Sequence, residues 1–432
     1  MKIAKKLLTG VLGLGAALTL FGCNKASKET ASSADGTITL NVWHQWANDS
    51  NELKKDYEKC ISEYEASHPN IKIVSESLDS EAYKTKMRTE FAGNASGVDV
   101  FYWWGAGTAK SFVNAGKLLA FDDYLTPEIK QRILPGSTGA FEFDGKTYSL
   151  PMFSWYMTLF CNTELFEKAG AKIPSNYDEL VDAVNKLSKL DGVEPLASGA
   201  KDGWNAAFVY QALALRENGA DNVNSMLGGS VPFGGKGYEE AAQKVMDLYR
   251  MGAFGKNPLE ENNDDASSKF ITGKAAMRLM GSWFANQVYT DASATVDPSK
   301  IVACKIPMIG GKGNASDYCG GFVESFWVNK NVKYPKEAVE LAVYLNEKMG
   351  QYSYETGSGF SGWKGTYDES RLNPLFIQIK DILSEGKTGV LAWDTSLESE
   401  AAAVHNEMVQ TLFSPDGSVK DFIQAHEDVI NK

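Results

Sequence analysis

The chain is short of the residues that most exported or catalytic proteins lean on. It has five cysteines in 432 residues, widely spaced and without a CxxC pair, which argues against a zinc site and against a disulfide framework. Cys60 and Cys161 sit in apolar patterns and read as small packed hydrophobes. Cys304 and Cys319 are near enough in sequence to pair, but spacing alone does not establish a bridge. There are four histidines, at 44, 68, 405 and 426, none spaced as metal ligands. Neither a Gly-x-Ser-x-Gly elbow nor a His-Glu-x-x-His helix is present. Positive charge is also scarce. The net charge is −12, and no basic run follows the first residues, so a phosphate backbone would be repelled and nucleic acid is not an expected partner.

The one long apolar run, Leu7 to Phe21, follows Lys2, Lys5 and Lys6. It is shorter than the roughly 20 residues that cross a bilayer and matches the core of a secretory signal. It ends at Leu20-Phe21-Gly22-Cys23, which resembles a bacterial lipobox, with Phe21 larger than is usual there. That resemblance implies a signal peptide over 1–22 and lipid attachment at Cys23. Residues 23–36 are small and polar, cannot bury enough apolar surface to offset their ordering entropy, and read as a tether. The only membrane contact expected is through this lipid, on the outer face of the cell membrane.

What remains is rich in apolar and aromatic residues, 43% and 11% of the whole chain, and long enough for two cores. Ile38, Leu40 and Val42 alternate as a strand. Leu53, Tyr57, Cys60, Ile61 and Tyr64 recur at helical spacing, stopped by His68-Pro69-Asn70. A second strand at Ile71–Ile73, a helix near 81–92, a strand at 97–102 and a helix near 108–114 complete a β-α-β-α-β order, the signature of an α/β sheet with crossover helices. Asp144-Gly145 marks a hairpin. Further strands are predicted at 158–161, 275–280, 301–307 and 322–329. Ser175, with Asp178 three residues on, suits a helix cap. Pro335 opens an amphipathic helix that Gly350 is expected to end, and the tail from Pro374 is mostly helical.

Four blocks then resemble family 1 extracellular solute-binding proteins. Cys161-Asn162-Thr163-Glu164-Leu165-Phe166, with Ala169-Gly170 and Pro174-Ser175-Asn176-Tyr177-Asp178-Glu179-Leu180, is similar to the family's Tyr-Asn-x-x-Leu-Phe-x-x-Ala-Gly and Pro-x-Thr-Trp-Asp-Glu-Leu segments. Cys161 and Tyr177 depart from its Tyr and Trp. Tyr64-Glu65 with Pro69–Ile73, Gly273-Lys274-Ala275-Ala276-Met277 with Gly281-Ser282-Trp283, and Gly320-Gly321 with Asn329-Lys330 and Pro335–Ala338 supply the other three. The resemblance implies a two-lobed, type II periplasmic-binding-protein-like fold whose hinge the chain crosses several times. It places residues 37–148 and 301–324 in lobe 1, and 149–300 and 325–432 in lobe 2. It implies a monomer that captures a carbohydrate, expected to be an oligosaccharide by the number of aromatic loops, and passes it to the permease subunits of an ATP-binding-cassette (ABC) importer, with no cofactor and no catalysis. A carbohydrate-active enzyme or a sensory lipoprotein on the same fold is the alternative; an enzyme needs two positioned carboxylates, and no pair is marked.

Sugars offer apolar C–H faces and convergent hydroxyls, so a site pairs indole or phenol rings with polar groups, typically beyond strand ends. Trp43, His44 and Trp46 follow the first strand, Tyr102, Trp103 and Trp104 end the third, and Trp155 lies past the first crossing. Trp204, Ser282, Trp283 and Trp363 stand in glycine-flanked loops. Asp79, Glu324 and Asp394 are the candidate polar partners, Glu324 because a carboxylate inside an apolar strand is costly unless bonded. Trp327 alternates with core residues and reads as structural.

Overall fold

The computed structural model describes residues 36–49 and 51–432; the signal, Cys23 and nearly all of the tether lie outside them. The described residues form thirteen strands: β1 Ile38–His44, β2 Ile71–Ser77, β3 Val100–Trp104, β4 Glu142–Phe143, β5 Lys146–Thr147, β6 Phe153–Asn162, β7 Glu194–Ala197, β8 Ala275–Gly281, β9 Ile301–Cys304, β10 Asp317–Phe322, β11 Glu324–Val328, β12 Phe360–Ser361 and β13 Thr388–Val390. The first sheet runs β11-β3-β1-β2. Its first three strands in sequence are parallel and β11 lies antiparallel on β3. Parallel strands need crossover helices, and the helices Glu52–Ser67 and Ser80–Ala92 supply them, capped by the side chains of Asn51 and Asp79. Tyr57, Cys60 and Tyr64 are the buried stripe of the first helix, as their spacing predicts.

The second sheet is built around the ten-residue β6. Its first half pairs with β10 and β12, and its second half with β8 on one side and β9 on the other. Two hydrophobic cores correspond to the two sheets. One ends at Phe153 and resumes with Phe326–Trp363; the other starts at Trp155 and takes the helical tail through Phe422 and Ile423.

The lobe boundaries differ from the expectation. Residues 301–322 belong to the second lobe, because β9 and β10 complete the hydrogen bonding of β6, with Val302 opposite Cys161 and Gly321 opposite Trp155. The chain returns to the first lobe only at Val323, so β11 and the helix Pro335–Glu355 pack there rather than in lobe 2. Gly320 and Gly321, at φ +134° and +143°, make the approach possible: a Cβ on Gly320 would lie 2.1 Å from the Trp155 carbonyl oxygen.

The three crossings lie side by side. Met152 donates its N–H to Glu324, Gly362 donates to Met152, and the Trp363 indole donates to the Pro151 carbonyl at 2.7 Å. Gly350 does not end its helix, which continues to Glu355. A Cβ there would sit 2.4 Å from the Met152 carbonyl oxygen, so the glycine lets the helix rest on the crossing. Mid-helix glycine costs about 1 kcal/mol relative to alanine, which this packing offsets. The cap of the helix Tyr177–Leu187 is Asn176 rather than Ser175, and Glu179 rather than Asp178 reaches back, to the Ser175 N–H and hydroxyl. Cys60, Cys161, Cys304 and Cys319 are all free, and Cys304 neighbours Cys161, whose thiol hydrogen-bonds to it, rather than Cys319. No helix among the described residues is long and apolar enough to cross a membrane.

Candidate functional site

Strand parity decides which first-lobe rings can meet a ligand. Tyr102 and Trp104, two residues apart on β3, share a face and touch edge to face at 5.2 Å. Trp46, in the loop after β1, packs on Tyr102 at 4.9 Å and on Phe326 at 6.0 Å. Glu324 stands opposite Trp104 in the ladder. Its carboxyl takes hydrogen bonds from the Tyr102 hydroxyl and the Trp104 indole, while Gln45 donates to the same hydroxyl at 3.1 Å. Burial pushes the acid up to about 8, so its bonds are made largely in the neutral form at pH 7.

Other first-lobe candidates lie elsewhere. Trp103 points to the opposite face and packs on Phe112 and Tyr83. Trp43 is pinned beneath the helix Ser80–Ala92, with the Lys86 ammonium 3.7 Å from its ring centre. His44 is enclosed by Tyr57 and Trp46, and its Nδ1 accepts the Trp46 N–H at 3.2 Å. Burial draws its pKa down to about 3, so the ring is a neutral packing element. His44 also edges a surface cavity of about 440 Å³ between the helix Glu52–Ser67 and β2. Asp79 is committed to capping, accepting from Ala82 at 3.3 Å. Trp363 is fully buried and pins the crossings through Pro151. Trp327 is buried too, its indole donating to the Trp103 carbonyl, as its strand position predicts.

The second lobe offers a group of four rings. Trp155 stacks on Phe208 at 5.4 Å and meets Trp283 edge-on at 5.2 Å; Trp204 meets Phe208 edge-on at 5.3 Å. Trp155 is buried, whereas Trp204 and Trp283 are only half-buried. Gly281 is required here, since a Cβ would lie 2.1 Å from the Trp283 ring as it folds back over β8. Ser282 is buried and its hydroxyl accepts the Tyr156 N–H at 3.3 Å, tying the end of β8 to β6. Asp202 accepts from the Asn263 N–H at 2.8 Å, and the Asp394 carboxyl is hydrogen-bonded by Asn406; burial raises both acids above the usual carboxylate range.

Lys84 stands on the first wall. Its ammonium stands 5.1 Å from the centre of the Trp104 ring, pairs with Glu81 at 2.8 Å, and its field reaches Asp202 and Asp394 of the second lobe. The lobes also touch directly. Lys110 pairs with Glu398 at 2.7 Å, and Gly107 lies so near the backbone of 396–397 that a Cβ would come within 2.3 Å of both carbonyl oxygens. The structure therefore brings together Trp46, Tyr102, Trp104 and Glu324 in the first lobe, and Trp155, Trp204 and Trp283 in the second, while Asp394 lies beside Asn406. Lys84, Phe208 and Asn406 were not singled out from the sequence. Phe208 was findable four residues after Trp204 on one helix face; nothing local marks Lys84 or Asn406.

The chain is 27% identical over 381 residues to an uncharacterized ABC transporter extracellular-binding protein of Pyrococcus horikoshii, covering 84% of this chain and 83% of that one. It is 24% identical over 304 residues to the multiple sugar-binding protein of Streptococcus mutans, 66% of each. A solved structure from work on xylan utilization by Caldanaerobius polysaccharolyticus superposes with a TM-score of 0.84 at 35% identity, covering 90% of this chain and 99% of that one. A chitin oligosaccharide binding protein superposes at 0.81 with 21% identity, covering 92% and 100%, a likeness of fold. With the family model matching residues 47–352, the chain belongs to the bacterial extracellular solute-binding proteins.

Proposed function

We propose that this protein captures a carbohydrate of several units between its lobes and delivers it to the permease of an ABC importer. The observation that carries this reading is the pair of half-buried ring groups, Trp104 on one wall and Trp204 and Trp283 on the other, with Glu324 opposite Trp104 and Asp202 at the start of the helix that carries Trp204. Flat rings suit the C–H faces of a pyranose or furanose, and adjacent carboxyl groups suit its hydroxyls. The multiple sugar-binding protein and the structure from work on xylan utilization among its relatives point the same way. On this reading Trp155 and Phe208 back the exposed rings, Ser282 and Tyr102 position their neighbours, and hinge closure presents the loaded form. Lipid attachment at Cys23 would hold a monomer at the outer face of the cell membrane, within reach of the permease.

A panel of neutral mono- and oligosaccharides, read by thermal shift and tryptophan fluorescence, tests the reading. At least one sugar should stabilise the protein, by about 2.7 kcal/mol at a hundredfold excess over its Kd. A shift with a peptide or a metal ion but with no sugar would overturn it, and release of hydrolysis products would move the assignment to an enzyme.

A further inference from the structure

A line of buried polar side chains joins the lobes just ahead of the third crossing. It begins where the helix Pro335–Glu355 ends. Gly357, at φ +74°, turns the backbone, and the N–H groups of Ser358 and Gly359 both reach back to the Ser353 carbonyl, at 2.7 and 3.0 Å. Ser358 is thereby fixed to a first-lobe helix, with its hydroxyl 3.3 Å from that of Thr356. Thr356 also reaches the Asp56 carboxyl at 3.3 Å, on the first-lobe helix Glu52–Ser67. On the other side, the Asn286 amide donates to the Ser358 hydroxyl at 3.0 Å. Asn286 belongs to the second lobe: its helix, Phe284–Thr290, buries Phe284, Ala285 and Val288 in the second core. Trp283 immediately precedes that helix, and its carbonyl accepts the Asn286 N–H at 3.3 Å. All four side chains are buried, so each costs stability if its partner is withdrawn.

We propose that the Asn286–Ser358 bond, backed by Thr356 and Asp56, is a latch between the lobes that favours their closed arrangement and positions the Trp283 ring. It rests on the carbohydrate reading above only for what Trp283 meets. The amide nitrogen can only donate, so Ser358 receives there and is free to pass its own hydrogen to Thr356. The sense of donation then runs one way, from the second lobe into the first. Hydrogen bonds weaken steeply when stretched or bent, so the line closes at one spacing of the lobes. None of the four residues is among the groups assigned to the sugar. They act through the helix that follows Trp283, and through the hinge.

The test has one arm without sugar and one with it. In the sugar-free protein, small-angle scattering of Ser358→Ala and Asn286→Ala should give a larger radius of gyration than wild type. Calorimetry then uses xylotetraose, cellotetraose, maltotetraose and mannotetraose. For whichever binds, Ser358→Ala, Asn286→Ala and Thr356→Val should each weaken binding about fivefold, the worth of one hydrogen bond. Thr356→Ser, which keeps the hydroxyl, should stay within about twofold of wild type. Thr356 and Asn286 share no hydrogen bond and meet only through Ser358. Their double variant should therefore bind no more weakly than the worse single one. Losses that multiply in the double variant mark two separate local defects and overturn the latch. An unchanged affinity, or a radius unchanged in every variant, overturns it as well, while carbohydrate capture stands. Thr356→Val keeps the side-chain shape and carries both arms if Ser358→Ala does not fold. If no sugar binds and a non-carbohydrate solute does, the functional reading fails, and the sugar-free arm still decides the latch.

Discussion

The two walls of the cleft are built on different terms. On the first, Tyr102 and Trp46 are almost fully buried, and Tyr102 is tied by hydrogen bonds to Gln45 and Glu324. On the second, Trp204 and Trp283 lean on the buried Trp155 and Phe208 and keep part of their surface exposed, with no hydrogen bond to the indoles among the described residues. The first wall is therefore part of its lobe's core and places one acid; the second is a raised platform on a finished core. Ring content alone does not separate a binding residue from a packing residue. The separation comes from which rings have their edges and polar atoms already used.

The largest expected effect comes from exchanging that contrast. Tyr102→Ala should lower stability by about 3–5 kcal/mol in urea unfolding, as removal of a large buried side chain does. Trp283→Ala should lower it by no more than about 1.5 kcal/mol yet weaken sugar binding at least tenfold in a fluorescence titration. Equal stability losses would erase the distinction between the walls. Next in size is Gly107→Val. The added side chain has no room beside the Leu397 and Ser396 carbonyl oxygens, so the lobes should be held apart. Small-angle scattering with saturating sugar should show a larger radius of gyration than wild type, and affinity should fall at least tenfold.

The two lobes should also respond to pH in opposite senses. Glu324 titrates near 8 in the folded chain, against about 4.5 for the free group, so the native state holds a proton that the unfolded state has lost. Its contribution is full below pH 4.5 and falls as pH rises from 4.5 to 8. The second lobe holds a buried chain running from Gln211 through His405 and His426 to the Phe422 carbonyl, with contacts of 3.0, 2.8 and 2.7 Å. The carbonyl can only accept, so His426 carries its proton on Nδ1, His405 donates from its own Nδ1, and both rings are neutral. Burial lowers both, His426 to about 4. Their contribution is full above about pH 6.5, the unfolded value, and falls as pH drops toward 4. In urea midpoints, Glu324→Gln should flatten the fall between pH 5 and 8, and His426→Gln the fall between pH 6.5 and 4.5. The smallest effect is expected from Lys110→Ala. Its ion pair with Glu398 is exposed on both sides, so affinity should change by less than twofold.

Much of this architecture can be read from local pattern, because the elements follow side-chain period. The alternation of Ile38, Leu40 and Val42, the stripe of Tyr57, Cys60 and Tyr64, and Asp144-Gly145 each report a short-range force and each lie where expected. Glu324 was legible for a related reason, since a carboxylate in an apolar strand demands partners. The crossing at Val323 was not legible. Whether residues 301–322 add to one sheet or the other depends on the free edges of β6, which are long-range properties. The same holds for the tryptophans. Parity separates Trp103 from Trp104, but only the fold says which face is the cleft. Asp79 had a local alternative in plain view, because Asp before a helix is a preferred cap. Gly350 misled because a glycine inside a helix and one ending it look alike until the Met152 carbonyl is seen against it.

The most direct measurement is a crystal structure of the protein with the tightest-binding sugar of the neutral mono- and oligosaccharide panel. Sugar rings lying against Trp104, Trp204 or Trp283, with hydroxyls on Asp202, Asp394 or Glu324, are the predicted result. A sugar lodged in the surface cavity beside His44 and the helix Glu52–Ser67, with the platform rings untouched, would contradict it.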